Sequence, residues 1–114
     1  MIISNDEKQK ILKVFTNVLI CIKGKGPQNI YVKYDEFEIR FVVQGILSVY
    51  EKYLLSYQNM DIYLTLKNLY LNDAQNVINR FSKELNEIQT FEYKELIVDL
   101  DNDYFEYRII KRDV

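Results

Sequence analysis

Residues 24–51 read GKGPQNIYVKYDEFEIRFVVQGILSVYE, and this stretch decides the fold. It opens with a GKGP loop at 24–27, where Gly24 suits a left-handed helix C-cap and Pro27 prevents the helix from continuing. Two runs of alternating apolar residues follow, and the stretch closes on residues 48–51, which suit the start of a new helix. The stretch therefore predicts a helix end, a β-hairpin and a second helix start in succession.

The two alternating runs predict the strands of the hairpin. The first strand covers Ile30–Tyr34, the second covers Phe37–Gln44, and Asp35-Glu36 forms the tight turn between them. The alternation in the second strand predicts one buried face and one solvated face, as is typical of an antiparallel strand. The buried face is predicted to carry Phe37, Ile39, Phe41 and Val43. The solvated face is predicted to carry Glu38, Arg40, Val42 and Gln44.

The first helix is predicted from Asp6 to Lys23, with Ser4 or Asn5 as its N-cap. Its apolar residues recur at helical spacing, so they form a stripe that faces the core. The stripe consists of Ile11, Phe15, Val18 and Ile22, and Leu12 and Leu19 widen it. Cys21 lies beside the stripe and is expected to be a small buried apolar residue.

Two further helices follow the hairpin. Ser48 and Glu51 have the spacing of a capping box, which predicts that the second helix begins at Val49 and ends near Tyr57. The third helix is predicted to begin near Met60, and its helical period continues to Ile88. Asn72 can cap a new helix, so a break near that residue is the alternative.

The last part of the chain predicts a second hairpin within residues 96–110, with Asp101-Asn102-Asp103 as its turn. The order is α-β-β-α-α-β-β. The two hairpins are expected to join in one four-stranded antiparallel sheet with the helices on one face, which is a two-layer α+β sandwich. Residues 1–114 are predicted to form a single domain. The predicted inward residues of the sheet are Ile39, Phe41, Val43, Val98, Phe105 and Tyr107.

The composition argues against several classes of function. The chain has no histidine and one cysteine, which removes Ser-His and Cys-His nucleophile pairs, histidine metal ligands, thiolate clusters and an internal disulfide. A net charge of -2 disfavours a nucleic-acid partner. The first residues show no apolar signal region, and no aliphatic run is long enough to span a bilayer. We therefore predict a cytoplasmic protein that is not an enzyme and binds no metal or cofactor.

Several turn and cap residues resemble those of a known family. The GKGP loop, the strand ending at Phe41–Gln44, the following Gly-x-Leu-Ser at 45–48, and a glutamate one turn later resemble the MpsC-type family of small bacterial domains. The residues of this pattern that shape turns and caps are Gly24, Gly26, Pro27, Gly45, Ser48 and Glu51. The resemblance implies a soluble accessory component associated with a Na⁺-translocating or other membrane-potential-generating system, which transports cations or bicarbonate. It implies no catalytic residues.

Three features are candidates for binding. Tyr50, Tyr53 and Tyr57 share one stripe of the second helix, which either faces the core or forms a protein interface. Lys25 lies in a loop that is either a structural turn or a partner contact. The Asp99–Asp103 run resembles the start of a calcium loop, but the later glycine and glutamate of such a loop are missing, so a solvated hairpin turn is predicted.

These patterns predict a non-enzymatic accessory or regulatory module that binds proteins. The resemblance places it in the cytoplasm or at the inner face of the membrane, as the soluble component of a cation or bicarbonate transport system. A homodimer is also predicted, because the helices offer more apolar surface than one sheet face needs. The first helix contributes Leu12, Val14 and Leu19 to that surplus, and the second helix contributes its tyrosine stripe. The alternatives are a small-ligand-binding domain that uses the groove between sheet and helices, and an enzyme that relies on lysine and carboxylates alone.

Overall fold

The computed structural model describes residues 4–35, 37–85 and 90–112, and within them the chain forms three α-helices and four β-strands. The α-β-β-α-α-β-β order confirms the predicted fold class. Glu36 of the first turn and the predicted end of the third helix at Ile88 lie outside the described residues. In chain order the elements are α1 (Asn5–Lys23), β1 (Asn29–Tyr34), β2 (Glu38–Gln44), α2 (Val49–Leu55), α3 (Met60–Leu85), β3 (Thr90–Asp99) and β4 (Tyr104–Arg112).

The sheet is antiparallel, and its strand order is β1-β2-β4-β3. The two hairpins therefore join through β2 and β4, which are the central strands. Phe41 of β2 lies opposite Tyr107 of β4, and Val43 lies opposite Phe105. This register places the apolar sets of both central strands on the same face, because side chains alternate along each strand.

The core lies between that face of the sheet and helices α1 and α3. Phe15 of α1 stacks on Phe41 of β2 with ring centroids 4.0 Å apart, and Phe81 of α3 packs edge-on against both rings. All three rings are fully buried. Each such aromatic pair contributes about 0.5–1.5 kcal/mol beyond its buried area, so this cluster joins the helical layer to the sheet. The predicted inward residues Ile39, Phe41, Val43, Phe105 and Tyr107 are buried, and Val98 is half-buried against them.

The helix ends follow from local hydrogen bonds. Ser4 caps α1 by accepting from the amide of Glu7, and Gly24 ends it in the left-handed region at φ 79°. The side chain of Asn59 accepts from the amides of Asp61 and Ile62, which caps α3. These contacts confirm the predicted helix starts. The alternative break near residue 72 is wrong, because α3 runs continuously from Met60 to Leu85.

Three burial predictions for α1 and the first hairpin are wrong. Phe37 is 74% exposed. It belongs to the turn, because Asp35 Oδ1 accepts from the amides of both Phe37 and Glu38 before β2 begins. Cys21 and Ile22 are exposed as well. The buried residues of α1 end at Leu19, so its last turn extends beyond the core.

The predicted solvated face of β2 also differs from expectation, since Val42 is fully buried and Glu38 is only 6% exposed. Glu38 accepts ion pairs from Arg40 at 2.7 Å, Arg108 at 2.6 Å and Lys94 at 2.7 Å. Burial works to raise the pKa of Glu38, but hydrogen bonds from these three cations lower it to about 2. The outer face of the sheet therefore carries an ordered charge network, which period-2 alternation alone does not predict.

Candidate functional site

The turn and cap residues of 24–51 meet at one end of the sheet. Gly45 connects β2 to α2, its amide donates to the carbonyl of Asp103 at 3.1 Å, and its carbonyl accepts from the amide of Gln28 at 3.3 Å. Gly45 has φ 74°, and a Cβ added there would lie 2.5 Å from the side chain of Gln28. Glycine is therefore required by backbone conformation and by space at the same position.

Asp103 anchors the segment that follows Gly45. Its Oδ1 accepts from the amide of Ile46 at 2.9 Å and from the amide of Leu47 at 3.1 Å. It adopts a left-handed φ of 49°, which aspartate tolerates better than most residues. The turn between β3 and β4 thus holds the segment before α2 in place through hydrogen bonds. Across the described residues, no group of three or more His, Cys, Asp or Glu side chains is arranged to hold a metal ion.

Glu51 combines the predicted capping box with a second network. The amide of Glu51 donates to Ser48 Oγ at 3.0 Å, and the amide of Ser48 donates to Glu51 Oε1 at 2.8 Å. Lys23, at the end of α1, forms a 2.9 Å salt bridge with Glu51 Oε1. The hydroxyl of Tyr70, on α3, donates to Glu51 Oε2 at 2.9 Å. We call Lys23, Glu51 and Tyr70 the polar clasp, because it ties three helices together.

The protonation states of the clasp follow from its surroundings. Burial works to raise the pKa of Glu51, but hydrogen bonds from the Ser48 amide, Lys23 and Tyr70 outweigh it and lower the pKa. Burial raises the pKa of Tyr70, and its bond to the Glu51 carboxylate raises it further. The carboxylate therefore stays ionised and the phenol stays protonated. Lys23 also donates to the Tyr70 hydroxyl, so the polar groups of the clasp satisfy one another.

Lys25 has a structural contact that the sequence did not indicate. Its Nζ donates to the carbonyl of Leu47 at 2.8 Å, which joins the GKGP loop to the segment before α2. Gly26, in the same loop, would bring a Cβ within 3.4 Å of the Ile20 side chain. The loop is thus a structural turn at this junction. Its alternative role as a partner contact remains a prediction.

The tyrosines of the second helix do not face the core. Tyr50, Tyr53 and Tyr57 are 69%, 57% and 58% exposed, so the core-facing alternative is wrong. The hydroxyls of Tyr53 and Tyr57 are 2.6 Å apart and their rings pack edge to face. Helix α2, which is described in full and ends at Leu55 rather than near Tyr57, buries none of its residues. It packs on α3 and leaves its tyrosines in solvent.

The exposed tyrosines adjoin an apolar groove between α2 and α3. The groove has a volume of about 450 Å³. Its lining comprises Tyr50, Glu51, Leu54, Asp61, Ile62, Thr65, Leu66 and Leu69. Further apolar side chains are exposed around it, and we call the whole surface the α2–α3 face. The exposed apolar residues of that face are Val49, Tyr50, Tyr53, Tyr57 and Leu69.

The structure brings the turn and cap residues together, and Glu51 of this set also lines the groove beside Tyr50. The polar clasp and Asp103 were missed by sequence reasoning. Lys23 lies 28 positions and Tyr70 lies 19 positions from Glu51 along the chain, and no sequence pattern links them. Only the capping-box spacing pointed toward Glu51. The space between sheet and helices, which the ligand-binding alternative requires, is occupied by the rings of Phe15, Phe41 and Phe81.

Comparison with known proteins gave no relative from which a role could be taken. No protein-family model matches the chain, and no curated protein or solved structure matches it. In the part of the chain that the structure describes, no helix combines the length and the apolar character needed to cross a membrane. The α2–α3 face is therefore the observation on which a function must be argued.

Proposed function

We propose that this protein is a non-enzymatic accessory or regulatory module that binds another protein through the α2–α3 face. The single observation that carries the proposal is the concentration of exposed apolar side chains between Val49 and Leu69. A concentration of exposed apolar side chains of this kind usually marks an interaction site, because a monomer gains nothing from leaving them in water. Tyrosine is also enriched at protein interfaces, where its ring is buried and its hydroxyl stays polar.

The geometry supports a preformed binding surface. Helix α2 buries none of its described residues, yet its first turn is held by the capping box and by the polar clasp. These contacts hold the first turn of the helix, while Leu54 and Leu55 pack against the core and the tyrosines stay exposed. A surface that is already ordered loses less conformational entropy when a partner binds.

The clasp is a poor candidate for catalysis. Its carboxylate accepts from the Ser48 amide, Lys23 and Tyr70. A general base needs a free lone pair within reach of its substrate, and here the protein's own donors take three of the carboxylate's roughly four acceptor positions. This favours a structural role for Glu51 and agrees with a non-enzymatic function.

The proposed partner is a cytoplasmic part of a membrane cation or bicarbonate transport system. The support for this part is the resemblance of the GKGP loop and of residues 45–51 to the MpsC-type family. The proposal places the protein in the cytoplasm, at the inner face of the membrane when it is bound. It also includes a homodimer as the state of the unbound protein.

Co-purification from detergent-solubilised membranes tests the proposal. Tyr53→Glu and Tyr57→Glu should abolish capture of the transport complex by the tagged protein, because a charge enters the apolar contact. Phe37→Glu is the matched control, since Phe37 is an exposed aromatic residue in the first hairpin turn. Circular dichroism should show an intact fold in all three variants.

A genetic measurement complements the capture experiment. Deleting the gene should reduce cation or bicarbonate uptake or lower the membrane potential. Unchanged transport after deletion would contradict the proposed partner. Turnover of a small substrate by the purified protein would contradict the non-enzymatic role.

A further inference from the structure

The groove within the α2–α3 face has the shape of a helix-binding site. Leu54 of α2 and Ile62 and Leu66 of α3 line it, while Leu69 stands 58% exposed at one end. An apolar channel between two helices accepts the apolar side of a third helix, whose anchors recur every three or four residues. The lining thus fits aliphatic anchors on a helical ligand.

The charges beside the groove indicate which helix would bind. Glu51 is already neutralised by Lys23. Asp61 lines the groove, is exposed, and forms no ion pair with any residue that the structure describes. Asp61 is therefore the carboxylate of the groove that no cation of the described residues neutralises.

We propose that the groove binds an amphipathic helix of the partner protein, with aliphatic anchors on one side and a lysine or arginine placed to meet Asp61. This inference rests on the proposed function, since it specifies the partner element that the α2–α3 face binds. Segments on the cytoplasmic side of membrane proteins are rich in lysine and arginine, so they match the required charge.

Two other occupants fit the charges less well. In a two-fold contact between copies of this chain through the groove, the unpaired Asp61 of each copy would lie on the same interface, where like charges oppose binding. An anionic membrane surface would be repelled by Asp61 in the same way. The basic helix alone supplies both the apolar contacts and the missing positive charge.

Binding of synthetic peptides tests the inference. Two helical peptides of about 14 residues carry the same leucine anchors. They differ at the position that would meet Asp61, where one has lysine and the other has glutamate. Fluorescence anisotropy should show the lysine peptide binding about fivefold more tightly than the glutamate peptide at low salt, with the difference shrinking as salt is added. Anionic vesicles serve as a separate probe and should not bind.

Variants assign the binding to the groove. Leu69→Glu should abolish binding of the lysine peptide, and Leu69→Ala should weaken it, because both remove an exposed apolar anchor contact without touching the core. Asp61→Asn should remove the preference for lysine over glutamate. Ile97→Glu is the matched control on β3, where an exposed apolar residue lies away from the groove, and it should leave binding unchanged.

The outcomes separate this inference from the proposed function. Absence of peptide binding, an unchanged affinity in Leu69→Glu, or equal affinity for both peptides would overturn it. So would vesicle binding, or a homodimer that Leu69→Glu dissociates. If the membrane complex still co-purifies with Leu69→Glu and Asp61→Asn but is lost with Tyr53→Glu, the inference fails and the proposed function stands. If Tyr53→Glu has no effect, the proposed function fails.

Discussion

Lys23, the last residue of α1, forms a 2.9 Å salt bridge with Glu51 in the first turn of α2. The two residues are 28 positions apart, and the first hairpin lies between them. The bridge therefore connects the two ends of the stretch that decides the fold. It also attaches α2, which has little buried surface of its own, to the rest of the domain.

Removing the bridge should destabilise the protein. Lys23→Met and Glu51→Gln should each lower the free energy of unfolding by about 1.5–3 kcal/mol, because each leaves a half-buried polar group without its charged partner. Urea denaturation measures both effects. The double variant should lose less than the sum of the single variants, since the pair is coupled. Strictly additive losses would contradict a direct interaction between the two side chains.

The charge network on the outer face of the sheet should make stability depend on pH. The pKa of Glu38 falls from its ordinary value of 4.5 to about 2 in the folded protein. A lowered folded-state pKa means that the stabilisation is fully present above 4.5 and is lost as the pH falls toward about 2. Glu38→Gln should therefore be destabilising at neutral pH.

Urea midpoints for the wild type and Glu38→Gln, measured in steps from about pH 7 to about pH 2.5, check this expectation. The difference between the two proteins should narrow as the solution becomes more acidic. Glu84→Gln is a control, because Glu84 pairs with Arg80 on an exposed part of α3. If the difference in urea midpoint between the wild type and Glu38→Gln does not change with pH, the role assigned to the Glu38 carboxylate is contradicted.

Three substitutions in the GKGP loop and in the connection from β2 to α2 should destabilise the protein to different degrees. Gly45→Ala should be the most destabilising, because it combines a positive φ with a Cβ only 2.5 Å from Gln28. Gly24→Ala should cost about 1–2 kcal/mol, since its φ is positive but the space around it is open. Lys25→Ala should cost about 0.5–1.5 kcal/mol through loss of its bond to Leu47.

Thermal or urea denaturation of the three variants tests this order. Gly26→Ala provides a comparison in the same loop, because the added Cβ would meet only the flexible Ile20 side chain at 3.4 Å. It should change the midpoint less than Gly24→Ala does. A larger loss for Lys25→Ala than for Gly45→Ala would show that charge matters more than backbone shape at this junction.

The homodimer remains a prediction, and the structure changes the surface on which it depends. Leu19 is buried, and Leu12 and Val14 pack against the core, so they are not available for self-association. Ile20 and Ile22 near the end of α1 are exposed instead. We expect light scattering at about 20 µM to show a dimer, a concentration suited to weak contacts.

Ile22→Glu should shift that dimer to a monomer by placing a charge in the contact. Tyr53→Glu is the matched control on α2 and should leave the dimer intact, because the dimer contact is predicted on α1. A wild-type protein that is monomeric at this concentration would contradict the prediction. A dimer that dissociates with Tyr53→Glu would move the contact to the α2–α3 face.

The sequence by itself determined the features that depend on near neighbours. Gly24 ends α1 because only a residue without a Cβ adopts the left-handed cap easily. Ser48 and Glu51 form their capping box because three residues separate them along the chain. The alternation of Ile39, Phe41 and Val43 sets their common buried face, since side chains of a strand point to opposite sides in turn.

Only the tertiary structure decided which distant residues meet. Asp103 reaches the amide of Ile46 across 57 positions, and Tyr70 reaches Glu51 across 19. Glu38 is buried because β4 lies beside β2 and brings Arg108 to it, and the strand order is not encoded in the alternation of either strand. The sequence also left undecided whether the tyrosines of α2 are buried, because this depends on tertiary packing. A helical stripe shows that residues share a side, but the packing of α2 on α3 decides which side meets water.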